Sequence, residues 1–123
     1  MPTILIVDDY PSIRAAIRAR FAPSSELVVC GEAISGLDAI EKARALRPDL
    51  VLLDISMPGM NGVEAASILK GLLPAVRIIA FTMYANTLRD SLAATIGIDA
   101  VFSKPEGIEQ LMDYIRALPQ PAS

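Results

Sequence analysis

The sequence predicts one α/β domain, a doubly wound five-stranded parallel sheet with helices on both faces. Three observations lead there. Short apolar runs rich in β-branched residues alternate with stretches of helical period, the pattern of βα units around a parallel sheet. The runs are apolar without alternation, which suits strands covered on both faces. With 123 residues, 53% apolar and 20% charged, the chain has the size of one domain and the material for one core, and it lacks the composition of a disordered segment.

The elements follow in order. Strands are expected at Thr3–Val7, Glu26–Cys30, Asp49–Leu53, Arg77–Phe81 and Ala100–Phe102. Between them, Ile13, Ala16 and Ile17 mark a first helix, Leu37, Ile40 and Ala43 a second, and Val63, Ala66, Leu69 and Leu73 a third. Leu88, Leu92 and Ile96 mark a fourth, and Ile108, Leu111, Met112, Ile115 and Leu118 a fifth. Spacings of three and four place each set on one face, which packs on the sheet. Pro48 and Pro74 close helices, Gly97 fits a C-terminal cap, and Ser12 and Asp38 fall in first turns. The closing run Pro119-Gln120-Pro121-Ala122-Ser123 reads as a linker or tail.

Composition excludes several chemistries. Cys30 is the only cysteine and there is no histidine, so an intrachain disulfide, the common zinc sites and the Ser/His or Cys/His nucleophile pairs are all ruled out. Eleven basic against fourteen acidic residues leave a net charge of −3, which argues against direct, sequence-independent binding of nucleic acid by this chain. The longest apolar runs, such as Ile4–Val7, are four residues long, far short of the roughly 20 that cross a bilayer. Met1-Pro2-Thr3 carries no basic segment or apolar region of a signal peptide, so a cytoplasmic location is expected. Carboxylate chemistry remains.

Ligands of open α/β sheets bind beyond the carboxyl ends of the strands. There the first strand ends in Asp8-Asp9, the third in Asp54, the fourth in Thr82 and the fifth in Lys104-Pro105, while the second ends blandly in Gly31-Glu32-Ala33. In the common strand order 2-1-3-4-5 the first and third strands are neighbours about 4.8 Å apart, so three carboxylates converge. Either one takes up a proton or a divalent cation neutralises them, and a hard ion such as Mg²⁺ prefers oxygen ligands. Because Mg²⁺ keeps several waters and pairs with phosphate oxygens, the set suggests a phosphoryl ligand, with Lys104 as counter-charge and the Thr82 hydroxyl as donor. Singly, each residue has an ordinary reading: a helix cap or solvated acid for Asp8 and Asp9, a turn start for Asp54, a strand residue for Thr82, a surface charge for Lys104. The weight lies in their falling together on one edge.

Residues 3–118 resemble the phosphoacceptor receiver domain of two-component response regulators, through Ile4-Leu5-Ile6-Val7-Asp8-Asp9, the run Asp49–Gly62, Thr82 and Lys104-Pro105. The resemblance implies a flavodoxin-like (βα)5 fold, with a receiver domain over residues 1–118 and a linker-like tail over 119–123. It implies that Asp54 accepts the phosphoryl group. Asp8, Asp9, Asp54 and the backbone carbonyl of Ser56 would hold Mg²⁺, and Thr82 and Lys104 would contact the phosphoryl group. The implied partners are a sensor histidine kinase and a downstream protein or output domain, with homodimerisation through the fourth and fifth helices as a family-level option. The implied switch alters the surface of the fourth helix, fifth strand and fifth helix, and it is a self-modifying signalling device instead of a turnover enzyme.

Two positions, Val101 and Met83, depart from the pattern. Val101 stands three before Lys104, where an aromatic residue is usual, and Phe102 one place later faces the other side by strand alternation. Met83 replaces a small residue after Thr82, and Tyr84 lies where the resemblance locates control of dephosphorylation. Two alternatives therefore stand beside the switch: a phosphorylation-impaired interaction module, and a Mg²⁺-dependent phosphohydrolase. The latter expects an acid two residues after its nucleophile, where this chain has Ser56.

Overall fold

The computed structural model describes residues 2–21, 27–54, 62–82, 97–103 and 107–118. Along the chain run β1 (Thr3–Val7), α1 (Pro11–Phe21), β2 (Val28–Ala33), α2 (Gly36–Leu46), β3 (Leu50–Leu53), α3 (Gly62–Leu72), β4 (Arg77–Thr82), β5 (Ala100–Ser103) and α4 (Ile108–Ala117). The expected fourth helix around Leu88, Leu92 and Ile96 lies outside the described residues, so α4 is the helix expected fifth. All strand pairs are parallel, and the sheet order is β2-β1-β3-β4-β5, the doubly wound arrangement the sequence predicts. No helix among the described residues is long and apolar enough to cross a membrane.

Alternation along each strand divides the core in two. Leu5, Val7, Val51, Leu53, Ile78 and Ala80 face one side, where Ala39, Ile40 and Ala43 of α2 and Ala66 and Leu69 of α3 cover them. Ile4, Ile6, Leu50, Leu52, Ile79 and Phe81 face the other, under Ile17 and Phe21 of α1 and Leu111, Met112 and Ile115 of α4. The three inner strands are buried almost throughout, whereas the edge strands β2 and β5 are half-exposed.

Two helix stripes differ from expectation. Leu37 is 62% exposed, and α2 instead packs through Gly36, Ala39, Ile40 and Ala43. Small residues let that helix lie close to the sheet, and the neighbouring large side chain turns outward. On α1, Ala16 is exposed while Ile17 and Phe21 are buried. The second strand also sits further along than expected. It spans Val28–Ala33 and includes Gly31, Glu32 and Ala33, because pairing with β1 carries it from Thr3↔Val28 to Val7↔Ala33, with an irregularity between Ile4 and Leu5 that absorbs one extra residue. Gly31 suits this stretch, since a Cβ there would lie 2.8 Å from the Leu46 side chain.

Helix ends obey local chemistry. The Ser35 hydroxyl caps α2 by accepting from the Asp38 amide. Arg47 closes the same helix in the left-handed region (φ 47°), its N–H donating to the Ala43 carbonyl, before Pro48. At the amino edge of the sheet, the Asp49 carboxylate accepts from the Thr3 amide and the Asp99 carboxylate from the Ile78 amide. Lys70 pairs with Asp99 and also bonds the Val76 carbonyl, a bridge that ties α3 to the entry of β4.

Two stability outcomes are expected from urea unfolding. Leu69→Ala, at a fully buried position on α3, lowers stability by about 2–5 kcal/mol. Arg47→Gly raises it by up to about 1 kcal/mol, because relief of left-handed strain outweighs glycine's larger chain entropy.

Candidate functional site

Because β1 lies between β2 and β3, the chain leaving β1 emerges beside the end of β3. The Asp54 amide donates to the Val7 carbonyl at 3.0 Å, and the Asp8 amide to the Ala33 carbonyl at 3.1 Å, so both acids continue the ladder one step past the strands. Asp8 and Asp54 are buried and Asp9 is half-buried, and one carboxylate oxygen of each lies within 4.8 Å of the others. Two buried acids and a third at the rim make a set of oxygen donors with a concentrated negative charge. Such a set fits a hard divalent cation.

Thr82 ends β4 fully buried. The Leu53↔Ala80 pair sets β4 beside β3, so Thr82 stands two residues past that pair and Asp54 one. Thr82 is also paired with Ser103, the last residue of β5. Lys104 follows Ser103 directly in sequence; it lies outside the described residues, as do Pro105, Ser56, Met83 and Tyr84. Four of the six expected site residues are thus described, and three of them meet.

Asp8 is oriented from several directions. Its Oδ1 accepts from the Tyr10 amide at 3.0 Å, and its main-chain carbonyl accepts from Arg14 Nη1 at 2.6 Å. The same guanidinium donates through Nε to Glu32 Oε1 at 2.9 Å, while Arg18 Nε bonds Glu32 Oε2 at 2.8 Å. Lys42 adds a bond from Nζ to the Glu32 carbonyl and an ion pair with Asp38. The end of β2, read as bland from sequence, is therefore an ionic junction between α1, β2 and α2. The signal was present: Arg14 and Arg18, four apart on one helix, share a face.

Hydrogen bonding by Arg18, seconded by Arg14 against the opposing effect of burial, holds the Glu32 carboxyl below its ordinary range. On the far side of the sheet edge, Val101 packs with the α2/α3 core and Phe102 with the α1/α4 core, as alternation predicts. Phe102 meets Tyr114 edge-on, ring centroids 5.5 Å apart.

Comparison with known proteins places this arrangement. The family model for the response regulator receiver domain matches residues 4–116. The chain belongs to that family. This receiver domain is 36% identical over 113 residues to the response regulator protein VraR of Staphylococcus saprophyticus subsp. saprophyticus, covering 92% of this chain and 54% of that protein. The chain spans about half the length of the curated relatives it matches. Among solved structures, the response regulator domain of Thermotoga maritima CheB superposes with a TM-score of 0.83 at 27% identity, covering 98% of this chain and 99% of that one. A DNA-binding response regulator of the LuxR family from Staphylococcus aureus gives 0.83 at 25% identity, covering 94% and 97%.

The junction in this receiver domain has a pH signature. A lowered folded-state pKa gives Glu32 a stabilising contribution present above its ordinary value of 4.5 and lost as the pH falls through the folded value below that. Glu32→Gln is expected to be less stable than the wild type at pH 7, with the difference narrowing below pH 4.5 in urea unfolding at stepped pH.

Proposed function

We propose that this receiver domain is a phosphorylation switch that accepts a phosphoryl group on Asp54. The supporting observation is the meeting of Asp8, Asp9 and Asp54 within 4.8 Å at the carboxyl edge of the sheet. We assign the switch domain to residues 1–118, with 119–123 a linker-like tail by composition. Asp8, Asp9 and Asp54, with the Ser56 carbonyl that the family resemblance adds, would hold Mg²⁺. When bound, the ion offsets the charge of the acids and of the phosphoryl oxygens.

The chain's own residues do the rest. A carboxylate oxygen of Asp54 attacks phosphorus in line, forming the O–P bond as the N–P bond of a kinase phosphohistidine, or the O–P bond of acetyl phosphate, breaks. Its electron pair leaves with imidazole or acetate. No general base is needed, since carboxyl groups are ordinarily ionised near neutral pH. Burial of Asp54 and Asp8 excludes bulk water from the nucleophile's inner side, and the ladder bond from the Asp54 amide fixes its backbone. Thr82 donates its hydroxyl and Lys104 its ammonium to the transferred oxygens.

By the family resemblance, the acquired charge biases two packings of a surface that includes β5 and α4. A histidine kinase supplies the phosphoryl group, and a downstream protein or output domain in the cytoplasm reads the surface; association of two copies there is a further outcome of the same change. Val101 favours a second reading. It occupies the face that Thr82 shares, with Ala80↔Val101 and Thr82↔Ser103 paired, and an isopropyl group has no ring to swing. A chain that cannot convert phosphorylation into a surface change acts as an interaction module.

Incubation with Mg²⁺ and acetyl phosphate is expected to add the mass of one phosphoryl group, lost in Asp54→Asn; an unmodified wild type overturns the proposal in favour of the interaction module. Tyr84→Ala is expected to lose its phosphoryl group several-fold faster than wild type when acetyl phosphate is removed, because the phenol no longer obstructs the attacking water. An equal or slower rate would exclude that role.

A further inference from the structure

We infer that Arg14 is a positioning residue for the acid cluster: it fixes the peptide unit between Asp8 and Asp9, and Glu32 aims it. The inference rests on the reading of that cluster as a Mg²⁺-dependent phosphoacceptor site.

Among the described residues the last ladder bond along this stretch runs from the Asp8 amide to the Ala33 carbonyl at 3.1 Å. Beyond it, the next main-chain group is the Asp8 carbonyl, part of the peptide that carries the Asp9 nitrogen. Arg14 Nη1 donates to that carbonyl at 2.6 Å. The guanidinium therefore sets the peptide plane from which two consecutive carboxylates depart, doing past the strand what a ladder bond does within it. Arginine suits this role because its planar fork presents donors at fixed angles, so holding one fixes the other.

Glu32 supplies the second anchor. Its Oε1 accepts from Arg14 Nε at 2.9 Å and its Oε2 from Arg18 at 2.8 Å, while Lys42 holds its carbonyl. An arginine one turn from three clustered acids is drawn toward them. Pairing with Glu32 gives its charge another partner and keeps its fork on the Asp8 carbonyl. The Arg14 side chain is only 13% exposed, so it has little room to leave this geometry. Removal of partners that orient metal ligands typically weakens metal binding by 10–100-fold.

Two effects of losing Arg14 carry opposite signs. Loss of a nearby positive charge tightens Mg²⁺ binding; loss of the peptide's orientation weakens it. The measurement is direct Mg²⁺ binding to the full chain by titration calorimetry, beside the rate of Asp54 phosphorylation by acetyl phosphate against Mg²⁺ concentration, with cooperative unfolding checked for each variant. Arg14→Ala is expected to raise the half-saturating Mg²⁺ about tenfold, while the rate at saturating Mg²⁺ stays near that of the wild type. Arg14→Lys, which keeps the charge and one reach, recovers part of the affinity. Arg18→Ala, which loses a bond to Glu32 but none to Asp8, raises the half-saturation less than Arg14→Ala does. If Arg14→Ala does not fold, Glu32→Gln carries the test, since it leaves Arg14 in place without its anchoring charge and is expected to raise the half-saturating Mg²⁺. An unchanged or lower half-saturation in the folded Arg14→Ala, or in Glu32→Gln where that variant carries the test, overturns the inference and leaves the phosphoacceptor reading standing. A wild type with no Mg²⁺-dependent phosphorylation overturns both.

Discussion

Carboxyl groups held close together at the edge of the sheet are the constraint around which this domain is arranged. At the 4.8 Å that spans the acid cluster, two unit charges repel by about 3 kcal/mol at an effective dielectric near 20. A fold of marginal stability carries such a cost only where its backbone leaves the groups no way apart. Here the backbone is tightly determined. Asp8 and Asp54 each donate a ladder bond to a neighbouring strand, and both strands are buried to their ends.

From that constraint the surrounding architecture becomes intelligible. The apolar inner strands β1, β3 and β4 form a rigid floor whose two faces are covered by separate helix pairs. Within the floor the polar residues Thr3, Arg77 and Thr82 stand only at strand ends, so the polar groups gather where the strands stop. Around the cluster, Tyr10, Arg14 and Ala33 hold Asp8 through backbone and carboxylate atoms. Glu32, Arg18 and Lys42 form a further layer that links β2 to α1 and α2. Charge is thus concentrated in one place and balanced in the adjacent one.

The aromatic residues illustrate how a one-residue offset redirects coupling. Successive side chains of a strand point to opposite faces, so the ring at 102 packs with Tyr114 under α4 and the aliphatic Val101 stays on the Thr82 side. Placed as it is, Phe102 connects β5 to α4 through the opposite core.

Much of this is legible in the chain alone. The unbroken apolarity of Ile4–Val7 and Leu50–Leu53 marks strands buried on both sides, and the residues that follow each run name the chemistry. The stripe of Leu111, Met112 and Ile115 marks a helix whose buried face the structure reproduces. Less legible are features set by pairing between distant segments. Local propensity ends the second strand at Cys30, yet the ladder with β1 carries it through Gly31 and Glu32. Leu37 looks like a core residue until the close approach of Ala39 and Ala43 turns it outward. The sequence by itself determined the inventory: acids, a hydroxyl and a lysine at strand ends, and no histidine or disulfide chemistry. Only the tertiary structure decided which acids meet, and that Arg14 and Glu32 support them. Those encounters join β1 with β3 and α1 with β2, and no local pattern records a pairing across that much intervening chain.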